Sequence, residues 1–357
     1  MPDGVPDGGQ ERVNMKVTFY RHSLFSRGGD RMVAEYANFL AEKRHAVVIY
    51  TNELSTVFEI NPLVEMKKIP LPFKAGTILY GIFKKFGADR VIIDIIPLAL
   101  FLSMRNRNRL LYFAQDWDVS YYSNRFMKML IDLLYITALR FQAIRTIAVS
   151  EQLTSLLKKR YGAKNVTTVT NGIDHRVFYP EIDNKLMEAK GERNAIFVFS
   201  RGDYRKGFDI ALRVLNELSD HLLDKAVVWV IGEEVQDTML NLPLRNFGWI
   251  NEEYLRKLLS SADLFLYPTR HEGLPLFPIE AMACGCPVVT TEAVPYAVDG
   301  ENAVVCKVED VEGIKEAVLK IVQNTDLTNK IREGGFRTAG KYDISESREK
   351  FLETVTG

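Results

Sequence analysis

Cysteine is scarce in this sequence of 357 residues, which contains three cysteines and five histidines. The cysteines form no CxxC or Cys/His array, and their odd number argues against a disulfide framework. The histidines share no metal-ligand spacing. We therefore expect neither disulfides nor a zinc site. We also expect the protein to lie in a reducing compartment, the cytoplasm.

Long apolar runs are missing as well, since none reaches the roughly 18 residues that a membrane span needs. Residues 1–14 are rich in Gly, Pro and Asp and lack the apolar core of a signal peptide, which predicts a flexible extension before Met15. We therefore expect a soluble or peripheral protein. A chain longer than about 300 residues is expected to form two domains.

A net charge of zero hides an asymmetry between the two halves. Residues 1–180 contain 25 Lys and Arg against 16 Asp and Glu, whereas the remainder contains 21 against 30. A basic half can meet nucleic acid, an anionic membrane or a phosphorylated substrate. The interleaved aromatic and arginine residues of single-strand binders are missing, which argues against nucleic acid.

Short β-branched runs alternate with helical patterns in both halves, as in parallel sheets covered on both faces. The rhythm breaks in the polar, turn-rich segment 171–194, which predicts a linker. The predicted fold is α/β, with two doubly wound Rossmann-like domains facing a central cleft. Ligands of such sheets bind beyond the carboxyl ends of the strands. Strands are predicted at 15–20, 45–51, 90–96, 109–115, 146–150, 195–200, 225–232, 262–269 and 286–292.

Two segments that follow predicted strands have the features of anion sites. In SRGGDRM (26–32), Gly28 and Gly29 would bring backbone N–H groups near an anion at a helix N-terminus. The segment is not a GxGxxG, which argues against a nicotinamide site. In SRGDYRKGFDIAL (200–212), Arg201 and Lys206 could neutralise a diphosphate. A structural turn and a solvated basic loop are the respective alternatives.

Two further segments place pairs of acids after strands. QDWDVSYY (115–122) contains Asp116 and Asp118 as a D-x-D, which could bind a divalent ion but is more typical of a helix cap. RHEGLPLFPIEAMACGCPVV (270–289) contains Glu272 and Glu280, the latter in the first turn of a predicted helix. There a glutamate either complements the helix dipole or accepts hydrogen bonds from vicinal hydroxyls of a sugar or ribose.

Together these segments resemble the retaining glycosyltransferases of family four, which have the GT-B fold. The resemblance rests on NGID at 171–174 with Phe178 and Pro180 after it, R-x4-K-G from Arg201 to Gly207, and E-x7-E at 272–280. It extends from Met15 onwards and is most specific between 171 and 292.

The resemblance implies a role for each candidate residue. Arg201 and Lys206 would contact the donor diphosphate, Glu272 would approach the donor sugar, and Glu280 would bind the ribose hydroxyls. The Gly28–Gly29 loop would close over the diphosphate. Backbone N–H groups would lie near the sugar and phosphate at Gly273, Leu274 and Leu276, because Pro275 has no N–H.

The reaction that the resemblance implies is sugar transfer with retained anomeric configuration, in which the leaving diphosphate helps to deprotonate the acceptor hydroxyl. It needs no metal and no cofactor, since Arg201, Lys206 and a helix dipole stabilise the leaving group. The sequence departs from many relatives at Gln115-Asp116, where they have a histidine. Asp116 is therefore expected to orient the acceptor or the donor sugar.

The resemblance also implies the domain limits and the partners. We expect an acceptor-binding domain over 15–180, a nucleotide-sugar-binding domain over 181–340, and a final helix over 341–357 that crosses back to the first domain. The acceptor would be a glycan or lipid-linked hydroxyl in cell-envelope or exopolysaccharide synthesis. The alternatives are a non-catalytic assembly subunit and a phosphorylase-like or epimerase-like GT-B enzyme.

Three basic segments of the first half could hold the protein on the inner face of an anionic membrane. These segments are 84–90, 104–109 and 125–145. For 125–145 the alternative is a helix that faces the core.

Overall fold

The computed structural model describes residues 15–25, 28–55 and 58–357, so the predicted extension over 1–14 and part of the 26–32 loop lie outside the described residues. Two parallel sheets confirm the α/β prediction. The first has seven strands, in the order β5 (Val64–Lys68), β3 (Ala46–Thr51), β1 (Lys16–Tyr20), β6 (Arg90–Ile93), β7 (Leu110–Ala114), β8 (Arg145–Ala148) and β9 (Val166–Thr168). The second has six, in the order β12 (Leu244–Gly248), β11 (Ala226–Gly232), β10 (Asn194–Ser200), β13 (Leu264–Tyr267), β14 (Val288–Thr291) and β15 (Val304–Cys306).

The first sheet, its helices and a separate two-stranded parallel sheet, formed by Ser23–Leu24 and Glu53–Leu54, occupy the N-terminal half of the chain. Their bounds are β1 (Lys16–Tyr20), β2 (Ser23–Leu24), α1 (Gly28–Glu42), β3 (Ala46–Thr51), β4 (Glu53–Leu54), β5 (Val64–Lys68), α2 (Phe73–Phe83), β6 (Arg90–Ile93), α3 (Ile96–Asn106), β7 (Leu110–Ala114), α4 (Arg125–Tyr135), β8 (Arg145–Ala148), α5 (Glu151–Tyr161) and β9 (Val166–Thr168).

The second sheet and its helices follow. Their bounds are α6 (Asn184–Lys190), β10 (Asn194–Ser200), α7 (Phe208–Glu217), α8 (Ser219–Leu222), β11 (Ala226–Gly232), β12 (Leu244–Gly248), α9 (Glu252–Ser261), β13 (Leu264–Tyr267), α10 (Leu276–Ala283), β14 (Val288–Thr291), β15 (Val304–Cys306), α11 (Val311–Gln323), α12 (Thr325–Ala339) and α13 (Ile344–Thr356).

The central strands are apolar along their whole length because helices cover both faces of each sheet. All residues of β7 and of β11 are buried. Side chains of Ser, Asn and Asp satisfy the first free N–H groups of several helices. These capping residues are Asn124, Ser150, Asp183, Asn251, Asp310, Asn324 and Asp343.

Three predicted segments differ in detail from the structure. The strand expected over 90–96 ends at Ile93, because Pro97 lies in the first turn of α3 and favours a helix start there. The expected linker 171–194 contains α6. The helix expected over 125–145 is interrupted, since α4 passes into a π-helical segment, Ile136–Phe141.

The last helix, α13, packs against α1. The ring of Phe351 stacks on that of Tyr36, with a centroid distance of 3.9 Å and an interplanar angle of 1°. Arg348 forms an ion pair with Glu35 on α1. The chain therefore ends on the domain in which it began, although the limits at 180 and 340 stay predictions.

The glycine of the NGID segment lies where the chain returns to the first domain. A Cβ at Gly172 would lie 2.4 Å from the carbonyl carbon of Asp343, so only glycine leaves room for the returning strand of chain. Beside it, Ile173 N donates to the carbonyl oxygen of Tyr342 (2.9 Å) and Ile344 N donates to that of Ile173 (3.0 Å).

Candidate active site

The carboxyl ends of the two sheets face each other across a cleft, and residues that follow the strands make contact there. Ser150, after β8, donates from Oγ to the carbonyl oxygen of Gly273 in the second domain (3.0 Å). The first rim is defined as the residues that follow strands β1, β6, β7 and β8, together with the first turn of α1. The second rim is defined as the residues that follow strands β10 and β13, together with helix α10.

Lys206 lies on the second rim in a short 3₁₀ turn, Tyr204–Lys206. Gly207 follows with a φ of 69°, and a Cβ there would lie 1.9 Å from the carbonyl oxygen of Pro268. Only glycine allows this close approach. As a result, Lys206 Nζ lies 2.9 Å from both carboxylate oxygens of Glu272.

Glu272 is held by further donors of the second rim. Its Oε1 accepts hydrogen bonds from the hydroxyls of Tyr267 (2.5 Å) and Thr269 (2.9 Å), and 6 % of the side chain is exposed. Burial and the charge of Glu272 raise the pKa of Tyr267 well above its ordinary value, so its hydroxyl stays a donor. The carboxylate is thus fixed in place at the cleft.

Arg201 differs from the other cations of the second rim. It follows β10 directly and is partly exposed. Within the described residues its guanidinium makes no hydrogen bond and no ion pair, while its charge acts to lower the pKa of Tyr267. Arg201 therefore lies beside the Lys206–Glu272 pair with its hydrogen-bonding groups available to an anion.

Glu280 is buried on α10, with 2 % of its side chain exposed. The prediction that it lies in the first turn is wrong, because the helix begins at Leu276, before Pro278, and Glu280 follows that turn. Its Oε1 accepts a hydrogen bond from Nη1 of Arg31 (2.5 Å), in the first turn of α1. The other guanidinium nitrogen of Arg31, Nη2, lies 3.1 Å from Oε1 of Glu252. The second carboxylate oxygen of Glu280, Oε2, is buried without a hydrogen-bond partner among the described residues.

The predicted glycines meet around one side chain of the first rim. A Cβ at Gly29 would lie 2.6 Å from Oε1 of Gln115, and one at Gly273 would lie 2.2 Å from its carbonyl oxygen. A Cβ at Gly28 would have nothing within 4 Å. Gly273 therefore lets the second rim contact the first, Gly29 lets α1 approach Gln115 within the first rim, and Gly28 begins α1 beside them.

The start of α10 offers free backbone donors. The helix begins at Leu276 after Pro275, and no side chain of that N-cap residue binds its first N–H groups. Leu274 and Leu276 are buried, with 9 % and 7 % of their surface exposed. Uncapped N–H groups at a helix N-terminus favour an anion.

Asp116 links the two rims. Its Oδ2 lies 2.6 Å from Nη1 of Arg205, and its Oδ1 lies 2.9 Å from Nε2 of His271. Burial acts to raise the pKa of Asp116, but the hydrogen bond and charge of His271 and the charge of Arg205 outweigh it, so the pKa lies below its ordinary value. Asp116 is therefore an ionised group between two bases of the second domain.

The second acid of the D-x-D has a different environment. Oδ2 of Asp118 accepts a hydrogen bond from the backbone N of Ile96 (2.9 Å), the first residue of α3. Burial raises the pKa of Asp118 to about 7. Asp118 thus caps a helix of the first domain, whereas Asp116 faces the second domain.

Sequence reasoning missed several charged residues of the cleft. Arg205 stacks over the ring of Tyr121, 3.9 Å from its centroid, and only its position between Arg201 and Lys206 could have indicated it. No local pattern indicates Arg31. The first rim also contains a buried cluster in which Arg21 pairs with Asp30 and Asp94.

In residues 15–25, 28–55 and 58–357, no group of three His, Cys, Asp or Glu side chains is arranged to hold a metal ion. Over the same ranges, no helix has the length and apolar character to cross a membrane.

Comparisons with known proteins agree with this geometry. The model of glycosyltransferase family 4 matches residues 26–177, and that of the group 1 glycosyl transferases matches residues 180–338. Among solved structures, WaaG, a glycosyltransferase involved in lipopolysaccharide biosynthesis, superposes with a TM-score of 0.78 at 20 % identity and covers 96 % of this chain and 100 % of its own.

HepE of Anabaena in complex with UDP-glucose superposes with a TM-score of 0.74 at 16 % identity, over 96 % of this chain and 100 % of its own. An uncharacterised glycosyltransferase of Haemophilus influenzae is 23 % identical over 96 % of this chain and 99 % of its own length. The chain spans about half the length of several other curated relatives that it matches.

Two parallel-sheet domains whose carboxyl rims face one cleft define the GT-B class of enzymes. The two family models together match most of the chain. The chain belongs to the family-four glycosyltransferases, which confirms the predicted family, fold and enzyme class.

Proposed function

We propose that this glycosyltransferase moves a sugar from a nucleotide-diphosphate sugar to an acceptor hydroxyl with retained anomeric configuration and without a metal ion. Two observations carry the proposal: the guanidinium of Arg201, beside Lys206, has no hydrogen bond or ion pair to the described residues, and the N-cap residue of α10, Pro275, makes no side-chain capping bond. Two cations and a helix N-terminus on one rim suit a diphosphate. Neither a metal nor a cofactor is part of the proposal.

The donor contacts follow from the second rim. Glu272 would accept hydrogen bonds from the sugar, and the buried, unpartnered Oε2 of Glu280 would accept one from a ribose hydroxyl. The backbone at Gly273, Leu274 and Leu276 would lie along the sugar and phosphate. Gly28 and Gly29 would approach the diphosphate from the first domain. The complex of HepE with UDP-glucose supports a nucleotide-sugar donor by analogy of fold.

In the proposed reaction, the acceptor oxygen bonds to the anomeric carbon on the face from which the diphosphate leaves. The bond between that carbon and the diphosphate oxygen breaks, and the acceptor proton passes to a diphosphate oxygen. Arg201 and Lys206 stabilise the negative charge that develops on the leaving group. Asp116, ionised between Arg205 and His271, would orient the acceptor or the donor sugar.

The acceptor is proposed to be a glycan or lipid-linked hydroxyl of a cell-envelope glycan, bound by the domain over 15–180. WaaG, named for lipopolysaccharide biosynthesis, supports this class. The domain over 181–340 would bind the donor, and the segment 341–357 would return to the first domain.

An exposed apolar face supports peripheral contact with an anionic membrane from the cytoplasmic side. On α4, Phe126, Met129 and Leu133 are 65 %, 62 % and 57 % exposed, and their spacing places them on one side of the helix. Arg125 and Lys128 lie among them and are exposed. Exposed apolar side chains flanked by cations suit an anionic lipid surface.

A thermal-shift screen of UDP-, GDP-, ADP- and dTDP-sugars in excess chelator tests the function. We expect one sugar nucleotide to stabilise the protein, and mass spectrometry and NMR of the product to show transfer with retained configuration. Turnover that requires added magnesium or manganese, or a product of inverted configuration, would contradict the proposal.

A further inference from the structure

Arg31 joins the two domains at the base of the cleft. It lies in the first turn of α1, one residue after the acid that pairs with Arg21, and reaches Glu280 on α10 with an N–O distance of 2.5 Å. The Arg31 side chain is 11 % exposed, and that of Glu280 is 2 % exposed. The pair is therefore shielded from solvent. Charge interactions are stronger in such a buried environment than in water.

Other contacts hold the guanidinium of Arg31 in place. Its Nη2 lies 3.1 Å from Oε1 of Glu252 on α9, and its Cζ lies 5.3 Å from the ring centroid of Phe178. A planar guanidinium with fixed neighbours directs each N–H along a defined line. One of these lines ends at Oε1 of Glu280.

A carboxyl group as buried as Glu280 needs a cation to stay ionised. Burial raises its pKa and Arg31 opposes that rise, while the negative charge of Glu252 adds to it. Cys284 and Tyr296 are the further titratable groups that feel its charge. Among these described groups, Arg31 supplies the positive charge.

The two oxygens of Glu280 are in different states. Oε1 is bound to Arg31, whereas Oε2 is buried and has no hydrogen-bond partner among the described residues. A buried acceptor without a partner is unfavourable, because it has lost its hydrogen bonds to water. A ligand donor that reaches it recovers that free energy on binding. A ribose hydroxyl is such a donor.

We propose that Arg31 is a positioning residue of the nucleotide site: it holds Oε1 of Glu280 and thereby presents Oε2 to a ribose hydroxyl. The inference rests on the proposed ribose role of Glu280. It means that the nucleotide site on the second domain is completed by the first, so nucleotide affinity depends on contact between the domains.

The test is a double-mutant cycle on nucleotide binding. UDP and GDP are titrated calorimetrically into the wild type, Arg31→Met, Glu280→Ala and the double variant. We expect each single change to weaken the tighter nucleotide about tenfold or more, and the double change to weaken it no further than the stronger single change. Arg31→Lys, which keeps the charge, should restore part of the affinity.

A pH series separates positioning from a general structural effect. Without Arg31, the pKa of Glu280 lies higher, so the carboxylate is lost as the pH falls. We therefore expect the affinity of Arg31→Met to decline more steeply than that of the wild type as the pH falls. Lys43→Gln removes a cation directly after the same helix, from an exposed pair with Glu349, and is the matched control.

Thermal melts and circular dichroism confirm that each variant is folded. Affinity that is unchanged or tighter in Arg31→Met, while Glu280→Ala weakens binding, would overturn the inference, because Arg31 would then be idle or would compete with the ribose. Unchanged affinity in Glu280→Ala would instead refute the ribose role itself, and the inference with it.

Discussion

The two rims of the cleft do not follow the net charge of the halves they belong to, since each rim contains charges of both signs. The first half of the chain is rich in Lys and Arg, yet its rim presents the carboxylates of Asp30, Asp94 and Asp116. The second half is rich in Asp and Glu, yet its rim presents cations. These are Arg201, Arg205, Lys206 and Arg270.

The comparison shows that net charge says little about a site built from strand ends. Of the positive charge of the first half, Arg125 and Lys128 on α4 lie exposed on the outer surface. Asp94 and Asp116 lie just after strands β6 and β7. Ion pairs of both polarities join the rims, since Asp116 of the first rim pairs with Arg205 and Arg31 of the first rim pairs with Glu280.

The largest expected effect tests the cationic rim. Arg201→Ala should lower kcat about 10²- to 10³-fold, because a cation that stabilises the leaving diphosphate is lost. The corresponding increase of the activation barrier is roughly 2–4 kcal/mol. The melting temperature should change little, since Arg201 pairs with no described residue. Arg213→Ala, which removes an exposed arginine of α7, is the control. A normal kcat in Arg201→Ala would remove the basis of the proposed mechanism.

The next effect tests the acidic rim. Asp116→Asn keeps the size of the side chain but removes the charge between Arg205 and His271. We expect kcat/KM to fall about 10- to 100-fold, up to the cost of a substrate misplaced by about 1 Å. Because the pKa of Asp116 lies below its ordinary value, the loss should be the same from pH 6 to pH 8. A loss confined to one end of that range would show that Asp116 titrates during the reaction.

A smaller effect tests the proposed membrane contact of α4, on the outer surface of the basic first half. The double change Phe126→Asp and Met129→Asp on α4 should weaken sedimentation with vesicles of phosphatidylglycerol and phosphatidylcholine about tenfold, because apolar contact is lost and like charges repel. Met239→Asp, at a residue of the second domain with 47 % exposure, is the control. Equal loss in both variants would place the membrane contact elsewhere.

The smallest effect concerns the other acid of the D-x-D. The pKa of Asp118 is raised from 3.8 to about 7, so its ionisation destabilises the folded state increasingly as the pH rises from about 4 to above 7. Asp118→Asn keeps an acceptor for Ile96 N and removes that penalty. We expect its melting temperature to exceed the wild type by a few degrees at pH 8, with the gain shrinking towards pH 5. A constant difference across this range would contradict the raised pKa.

Much of the architecture was readable from local pattern. Apolar runs of four to seven residues lie buried as strands of both sheets, and the E-x7-E spacing places Glu272 before α10 and Glu280 within it. A glycine is required at position 207, because its positive φ and the nearby carbonyl of Pro268 exclude a Cβ. Where prediction failed, as at 90–96, Pro97, four positions after the strand end at Ile93, favours the start of a helix.

The amino-acid sequence by itself determined the strands, the helices, the glycine turns and the family motifs, because these depend on neighbours along the chain. Only the tertiary structure decided that Arg31 meets Glu280, 249 positions away, and that Arg205 meets Asp116, 89 positions away. Both contacts depend on how two separately wound sheets face each other. No periodicity encodes that arrangement, since it follows from the packing of the whole chain.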